Sequence, residues 1–202
     1  TKQTFTDFRN RYSNVYIQVG KRTTTVGNWW LAHPMRRQYE AMTFSPGQAV
    51  PGVYNLWQGF YCPPLPGDRH KSFLEHLLNN VCSGVRAYYE YLVGWSARAV
   101  QKPDRPGETA IVMRGKPGTG KSFFANQFGK LFGRHYLHVS NAAHLIGQFN
   151  SHLRDCVVVF GDEAFYAGDK KHESVLKTLI TEEHMMIEQK GVDAELSPNF
   201  TH

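Results

Sequence analysis

The stretch Ala110-Ile-Val-Met-Arg-Gly-Lys-Pro-Gly-Thr-Gly-Lys-Ser-Phe-Phe124 combines an apolar run, a glycine-rich loop and the start of a helix. Within it, residues 115–122 match G-x-x-x-x-G-K-[ST] at every fixed position. Glycines at 115, 118 and 120 allow positive φ angles and a close approach of the backbone to a ligand. Successive N–H groups and the positive end of the following helix then attract an anion. The pattern predicts a phosphate-binding loop.

Each residue type in this loop has a predicted role. Lys121 is expected to reach the β- and γ-phosphates of a bound nucleotide, and the Ser122 hydroxyl is expected to hold Mg²⁺. The nucleotide-binding residues predicted from the motif and its flank are Gly115, Lys116, Pro117, Gly118, Thr119, Gly120, Lys121, Ser122 and Phe123.

A second element lies downstream, where the continuous apolar run Cys156–Phe160 precedes Asp162 and Glu163. Such a run is typical of a strand buried on both faces of a parallel sheet, and the carboxyl ends of such strands bind ligands. An acidic residue there often only caps the next helix. Two adjacent acids after a phosphate loop favour catalysis, with Asp162 orienting the Mg²⁺ shell and Glu163 polarising the attacking water.

Alternating strand and helix patterns predict an α/β fold, a P-loop NTPase with a parallel sheet covered by helices on both faces. We assign residues 1–68 to a strand- and turn-rich region, 69–107 to a helical segment and linker, and 108–202 to the P-loop core. The predicted local elements are a strand at 15–19, a short helix opening at Met35–Tyr39, two helices within 69–100 interrupted near Asn79-Asn80 and Ser83-Gly84, a strand at 110–113, a helix at 123–132 capped by Gly133, a strand at 136–139, and helices at 142–153 and 171–182.

Residues 184–196 predict two short strands around a tip near Gln189-Lys190-Gly191. A lysine beside a glycine at such a tip is usually just a solvated turn. Lys190 could instead grip a phosphodiester backbone inside a channel.

Composition sets broader limits on the function. The 202 residues carry a net charge of +6, which is compatible with a nucleic-acid partner without requiring one. The three cysteines are far apart and show no metal spacing, which argues against a disulfide framework and favours a reducing compartment. No apolar run is long enough to cross a bilayer, so we expect a cytoplasmic protein without a membrane partner.

Beyond the phosphate loop, an ordered set of blocks resembles the helicase domain of primase–helicase and primase–polymerase proteins from phages and related mobile elements. That group is similar to the superfamily 3 helicases within the AAA+ ATPases. The blocks are Trp30-Leu-Ala-His-Pro34, Asn55-Leu-Trp-Gln-Gly59, Gly94-Trp-Ser-Ala97 with Gln101-Lys-Pro103, Phe149-Asn-Ser-His-Leu153, Asp162-Glu-Ala-Phe165, Leu176-Lys-Thr-Leu-Ile-Thr181 and Ile187-Glu-Gln-Lys-Gly191.

The resemblance implies ATP-fuelled unwinding of, or movement on, single-stranded or forked DNA by a ring, a hexamer, in the host cytoplasm if the source is viral. It implies a primase or primase–polymerase domain in the parent chain and a DNA-gripping role for Lys190. In this family a polar sensor residue ends the strand after the hairpin. The sequence stops at Asn199-Phe-Thr-His202, so the resemblance implies that residues 108–202 are an ATPase core incomplete at its C-terminal end, without the sensor and an arginine finger.

Two other function classes stay open from the residues alone. The first is a P-loop phosphotransferase acting on a small molecule, for which Arg134 and Arg154 are candidate lid arginines. The second is a non-catalytic assembly module that binds nucleotide without turning it over. Stimulation of ATP hydrolysis by DNA distinguishes the helicase reading from both.

Overall fold

The computed structural model describes residues 3–141, 143–147, 149–162 and 170–202. The chain is α/β and divides into two compact units, Thr1–Ala41 and Met42–His202. This division falls at Ala41, whereas the boundaries predicted from the sequence fall at residues 68 and 107. None of the described helices is long and apolar enough to span a bilayer.

The first unit consists of two short helices and a hairpin. Its elements are α1 (Phe5–Arg11), β1 (Tyr16–Val19), β2 (Arg22–Thr25) and α2 (Val26–Ala32). Thr4 and Asp7 form a capping box at the start of α1, so two backbone donors there are satisfied. The strand predicted at 15–19 is confirmed by β1, which pairs antiparallel with β2.

The short helix predicted to open at Met35 is wrong. Helix α2 ends at Ala32, and His33 is extended with ψ of 127°. Pro34 follows, and a proline disfavours the helical region for the residue before it. The chain turns instead, with the Met35 N–H donating to Nδ1 of His33 at 3.2 Å.

A two-stranded sheet, whose first residue is the last of the first unit, opens the second unit and is followed by helices. Its first elements are β3 (Ala41–Thr43), β4 (Val53–Asn55), α3 (His70–His76), a π-helical turn (Leu77–Val81) and α4 (Arg86–Gln101). The predicted interruption at Ser83-Gly84 is confirmed, because both residues have positive φ. The interruption predicted at Asn79-Asn80 is wrong, because the helix widens there into a π-turn and continues.

A parallel strand pair forms the centre of the second unit. The remaining elements are α5 (Lys121–Lys130), β5 (Tyr136–Val139), α6 (Ala143–Ile146), β6 (Val158–Gly161), α7 (Lys170–Thr181), β7 (His184–Gln189) and β8 (Val192–Pro198). β5 pairs with β6 in parallel, from Tyr136 opposite Val158 to Val139 opposite Gly161. Val158 belongs to a hydrophobic cluster with Phe124 and Phe128 of α5, whereas Val159 packs against a second cluster that contains Leu179. Both faces of β6 are therefore covered.

The C-terminal segment continues this pairing on the other side of β6. The His202 N–H donates to the Val157 carbonyl at 2.7 Å, and the Val159 N–H donates to the His202 carbonyl at 3.1 Å. One residue bonded to positions two apart is the parallel pattern. Asn199, which is 1% exposed, holds the segment against α7 by donating to the carbonyls of Leu179 and Glu182.

The predicted strand at 110–113 is not formed, and a larger parallel sheet of the P-loop type is not present among the described residues. A strand needs a partner ladder. Next to this segment, the Gly107 N–H donates to the Thr201 carbonyl at 3.0 Å, and no further backbone bond between described residues extends that pairing to residues 110–114. Val112 is 82% exposed as a result.

The helix predicted at 142–153 is also shorter than expected, since α6 ends at Ile146 and only a 3₁₀ turn covers Ser151–Leu153. Gly147 and Asn150 both disfavour a helix, and the Asn150 side chain forms hydrogen bonds with β7 instead.

The helix predicted at 123–132 is present as α5 but ends at Lys130, before Gly133. The apolar face predicted for α7 and the hairpin around Lys190 are confirmed.

His135 is a buried polar junction between the sheet and the chain before α3. It is fully buried, stacks on Trp57 at 4.7 Å, and accepts a hydrogen bond at Nε2 from the Gln58 N–H at 3.0 Å. Because Nε2 accepts, Nδ1 carries the proton and donates to the Asp155 carbonyl at 2.7 Å. Burial lowers the pKa of His135, so the folded protein keeps this ring neutral.

We expect the second unit to lose stability as the pH falls below about 6.5, the ordinary pKa of histidine. Below that pH the imidazole of the unfolded chain is protonated, whereas the buried ring of the folded chain stays neutral. The contribution of His135 to the free energy of unfolding is therefore present above that pH and is lost as the pH falls towards the lowered pKa of the folded state. His202, whose pKa burial also lowers, acts in the same direction. Urea unfolding between about pH 8 and pH 5 measures the effect. His135→Gln should flatten the curve, and an unchanged slope in that variant would contradict the assignment.

Candidate functional site

The glycine-rich loop precedes α5 and bends through two left-handed residues. Gly118 has φ of 81° and Gly120 has φ of 86°, and Gly120 is the N-cap of α5. Only glycine takes such angles without strain. Gly115 does not have a positive φ, so the prediction is wrong for this glycine. Its carbonyl oxygen instead accepts a hydrogen bond from Lys121.

Lys121 closes the loop on itself. Its Nζ donates to the carbonyls of Gly115 at 2.9 Å and Lys116 at 2.8 Å, and lies 3.2 Å from the Thr119 hydroxyl. The ammonium group is therefore held at the centre of the loop, with polar partners that an anion can replace. Ser122, one residue further along, is half-buried in the first turn of α5.

His76 was not singled out by the sequence analysis, yet it lies against the loop. A Cβ placed on Gly120 would collide with its imidazole ring. The ring packs edge-on against Phe123 at 5.2 Å, and Nδ1 is 3.0 Å from the Asn80 amide. The other ring nitrogen, Nε2, is buried without a hydrogen-bond partner among the described residues. The only available signal was helical spacing, since the π-turn that orients His76 has no sequence pattern of its own.

Asp162 follows β6 and stands at its carboxyl end, as predicted. Its N–H donates to the Val139 carbonyl at 2.8 Å, which continues the parallel pairing by one residue. One carboxylate oxygen lies 3.5 Å from Nε2 of His138, and the Asp162 side chain is 38% exposed. Burial, aided by the Asp162 charge, raises the pKa of Tyr136 to about 12, so this phenol stays neutral and donates to Asn126.

The structure brings the loop and Asp162 into one cleft of about 1410 Å³. Its lining includes Gly115, Pro117 to Phe123, and, from the sheet, His138, Gly161 and Asp162. Sequence reasoning missed His138, because its place opposite Phe160 follows only from the strand register. Glu163, the predicted water activator, lies outside the described residues.

The two candidate lid arginines of the phosphotransferase hypothesis form ion pairs outside the cleft. Arg154 pairs with Glu195 of β8 at 2.6 Å and its side chain is 14% exposed, and Arg134 lies 3.4 Å from Asp155. Neither residue lines the cleft. The geometry therefore gives this reading no specific support.

Lys190 lies at the tip of the β7–β8 hairpin. Gln189 pairs with Val192, so Lys190 and Gly191 form a two-residue turn in which Gly191 has φ of 76°. Asn150 anchors the outer edge of β7 by accepting from the Glu188 N–H and donating to the Met186 carbonyl, each at 2.8 Å. The part of β7 that leads to the tip is thus fixed, and the exposed Lys190 lies beyond it.

The two left-handed glycines allow a matched test of the loop. Gly118→Ala meets no atom of the described residues within 4 Å, so it should cost only the backbone strain, about 1–2 kcal/mol. Gly120→Ala adds the collision with His76, which we expect to cost about 1–3 kcal/mol more. Urea unfolding measures both values. His76→Ala in the Gly120→Ala background should recover the steric part alone, and equal costs at the two glycines would show that His76 exerts no constraint.

The chain is similar to a protein family over its C-terminal part and to solved structures over most of its length. A family of unknown function (DUF5906) matches residues 113–202, fewer than half of the chain. No curated protein sequence matches. The apo structure of the NrS-1 C-terminal region (residues 305–718) is similar, with 21% identity and a TM-score of 0.69 over 92% of this chain and 50% of that one. An apo structure of the same region in its A form gives 20% identity, a TM-score of 0.69, and coverage of 92% and 49%. The chain thus spans about half of these structures and shares their fold.

Proposed function

We propose that the chain is the ATP-hydrolysing module of a helicase-type DNA replication protein. The observation that carries this proposal is the convergence of the Gly115–Ser122 loop and Asp162 on one cleft. An anion cradle beside a strand-end carboxylate is the arrangement that phosphoryl transfer with a divalent metal requires. The fold shared with the NrS-1 C-terminal region fits a module of this kind.

The loop would bind the triphosphate through groups that are already in place. Within the part of the chain that the structure describes, no atom lies within 4 Å of a Cβ placed on Gly118, so phosphate oxygens could approach the backbone there. Lys121 would exchange the Gly115 and Lys116 carbonyls for phosphate oxygens, which form stronger charge-assisted bonds. The N-terminus of α5 adds its positive dipole end to the same site.

The residues at the cleft also fit a magnesium ion. Mg²⁺ prefers oxygen ligands and keeps several waters, so one hydroxyl and one carboxylate in a half-exposed setting suit it. Ser122 would coordinate it and Asp162 would orient its water shell. Bound there, the ion would neutralise the charge on the phosphates.

Hydrolysis further requires a positioned water, and we assign its activation to Glu163. In the resemblance described above, this carboxylate follows directly after the metal-orienting aspartate. The proposal extends to DNA through Lys190, whose position at the tip of an anchored hairpin suits a contact with a phosphodiester backbone. A homo-oligomeric ring, a hexamer, would bring several such tips around one strand.

Lys121→Ala should weaken ATP binding by about 10- to 100-fold or more, since a charge-assisted bond to phosphate contributes roughly 1.5–3 kcal/mol. Isothermal titration with ATP and Mg²⁺ measures this change. Lys130→Ala, in the last turn of the same helix, is the matched control and should bind like the unmodified chain. Equal affinities for Lys121→Ala and Lys130→Ala would refute the nucleotide site.

Glu163→Gln should keep ATP binding but slow hydrolysis in the full-length parent by about 100-fold or more, as expected for loss of a general base. Normal hydrolysis would reject that role.

Lys190→Ala should leave basal ATP hydrolysis unchanged and weaken binding of single-stranded DNA in the presence of nucleotide. The loss of one phosphate contact should also lower the salt slope by about 0.7. Anisotropy of a labelled oligothymidylate over a salt series checks both effects. Lys177→Ala, an exposed lysine on α7, serves as the control. An unchanged affinity at low salt would show that Lys190 does not contact DNA. That result would leave the proposed ATP site unaffected.

A further inference from the structure

The charge of the chain is divided very unevenly between its two units. Residues 1–41 contain seven Lys or Arg and two Asp or Glu, a net of +5, whereas residues 42–202 contain sixteen against fifteen, a net of +1. Nearly all of the net positive charge therefore belongs to a unit that makes up a fifth of the chain. Such asymmetry points to an anionic macromolecular partner for the smaller unit.

The basic side chains of this unit are available to a partner. Arg9, Arg11, Lys21, Arg22 and Arg37 are all exposed, and no ion pair occurs among the unit's described residues. Of the two acids, Asp7 is occupied in the capping box, where hydrogen bonds from Thr4 lower its pKa. The positive field of the unit is thus not neutralised locally.

Aromatic rings are interleaved with these charges. Phe8 lies 5.0 Å from both Tyr12 and Trp30, and the Arg11 guanidinium lies 5.8 Å from the Tyr12 ring centroid. Trp30 is 38% exposed, and Tyr16 on β1 is 66% exposed. Exposed rings beside cations provide faces on which unpaired bases stack.

The unit is small, so these groups lie within a short distance of one another. α1 packs on α2 where Gly27 leaves no room for a side chain, since a Cβ there would lie 3.2 Å from the Arg9 Cα. The hairpin is tied to the start of α2 by the Val26 N–H, which donates to the Val15 carbonyl at 2.8 Å. α2 itself is only about 10 Å long. The charges and rings therefore fall within the span of a few nucleotides.

We propose that residues 3–41 form a binding site for single-stranded nucleic acid, in which exposed arginines contact phosphates and Tyr16 and Trp30 stack on bases. Arginine predominates over lysine, five to two in residues 1–41, and its planar fork suits phosphate. The exposed rings favour unpaired bases over a lipid surface, because α1 carries only two large apolar side chains, Phe5 and Phe8, too few for the broad apolar face that inserts into a bilayer. This site does not rest on the ATPase proposal and requires no nucleotide.

The test uses the full chain and a labelled oligothymidylate of about 20 nucleotides, without ATP or Mg²⁺. The variant R11A/K21A/R22A/R37A should bind about 10-fold or more weakly at low salt, and its salt slope should fall by up to about 3 for four lost contacts. The control K102A/R105A/K130A/K177A removes the same charge from exposed positions of the second unit and should bind within about 2-fold of the unmodified chain. Equal weakening by both variants would overturn the proposal.

A second pair of variants tests base stacking without changing any charge, so its result does not depend on whether the quadruple variant folds. Tyr16→Ala should weaken binding by about 5-fold or more without changing the salt slope. Tyr88→Ala, at a position equally exposed (67%) on α4, should not. Duplex DNA or anionic vesicles that bind as well as the oligonucleotide would overturn the single-strand assignment. Lys121→Ala should leave this binding intact, so failure of the ATP site and failure of this site give different results.

Discussion

Parallel pairing between β5 and β6 is the interaction on which the second unit depends. A parallel strand must be covered on both faces, and here Val158 and Val159 point into two different hydrophobic clusters. The first cluster includes Phe124 and Phe128, so it fixes α5 against the sheet. Because α5 begins directly after the glycine-rich loop, the same packing that covers β6 also places the loop beside the carboxyl end where Asp162 stands.

The loop is already organised in the form that can accept an anion. Gly118 and Gly120 take left-handed angles, and Lys121 turns back onto the carbonyls of Gly115 and Lys116. Its ammonium group therefore does not have to be ordered when a ligand arrives, only to change partners. Pre-organisation of this kind improves affinity by reducing the entropy lost on binding. His76 contributes from outside the motif, since its ring fills the space that only a glycine at 120 leaves open.

The sequence predicted the parts of the fold that depend on local chemistry. The start of α5, the strand before Asp162, the apolar face of α7 and the turn at Lys190-Gly191 all follow from short patterns, and the structure has them. Elements that depend on distant partners were not predictable. The apolar pattern at residues 110–113 predicts a strand, but these residues have no ladder partner in the described ranges. Asn150 lies outside its predicted helix and bonds to β7 instead. His138 and His76 reach the cleft only through strand register and a π-turn, neither of which the sequence specifies.

The uneven charge addresses a conflict that an enzyme of the proposed kind faces. A metal-dependent phosphate site needs carboxylates, and carboxylates repel a polyanionic strand. In the second unit the acids nearly balance the bases, so its long-range field towards nucleic acid is weak. Residues 1–41 carry the excess cations instead, with no ion pair among their described members. Under the proposals above, cations placed in a separate unit would attract a strand by counterion release and would leave the acids of the cleft available to a metal.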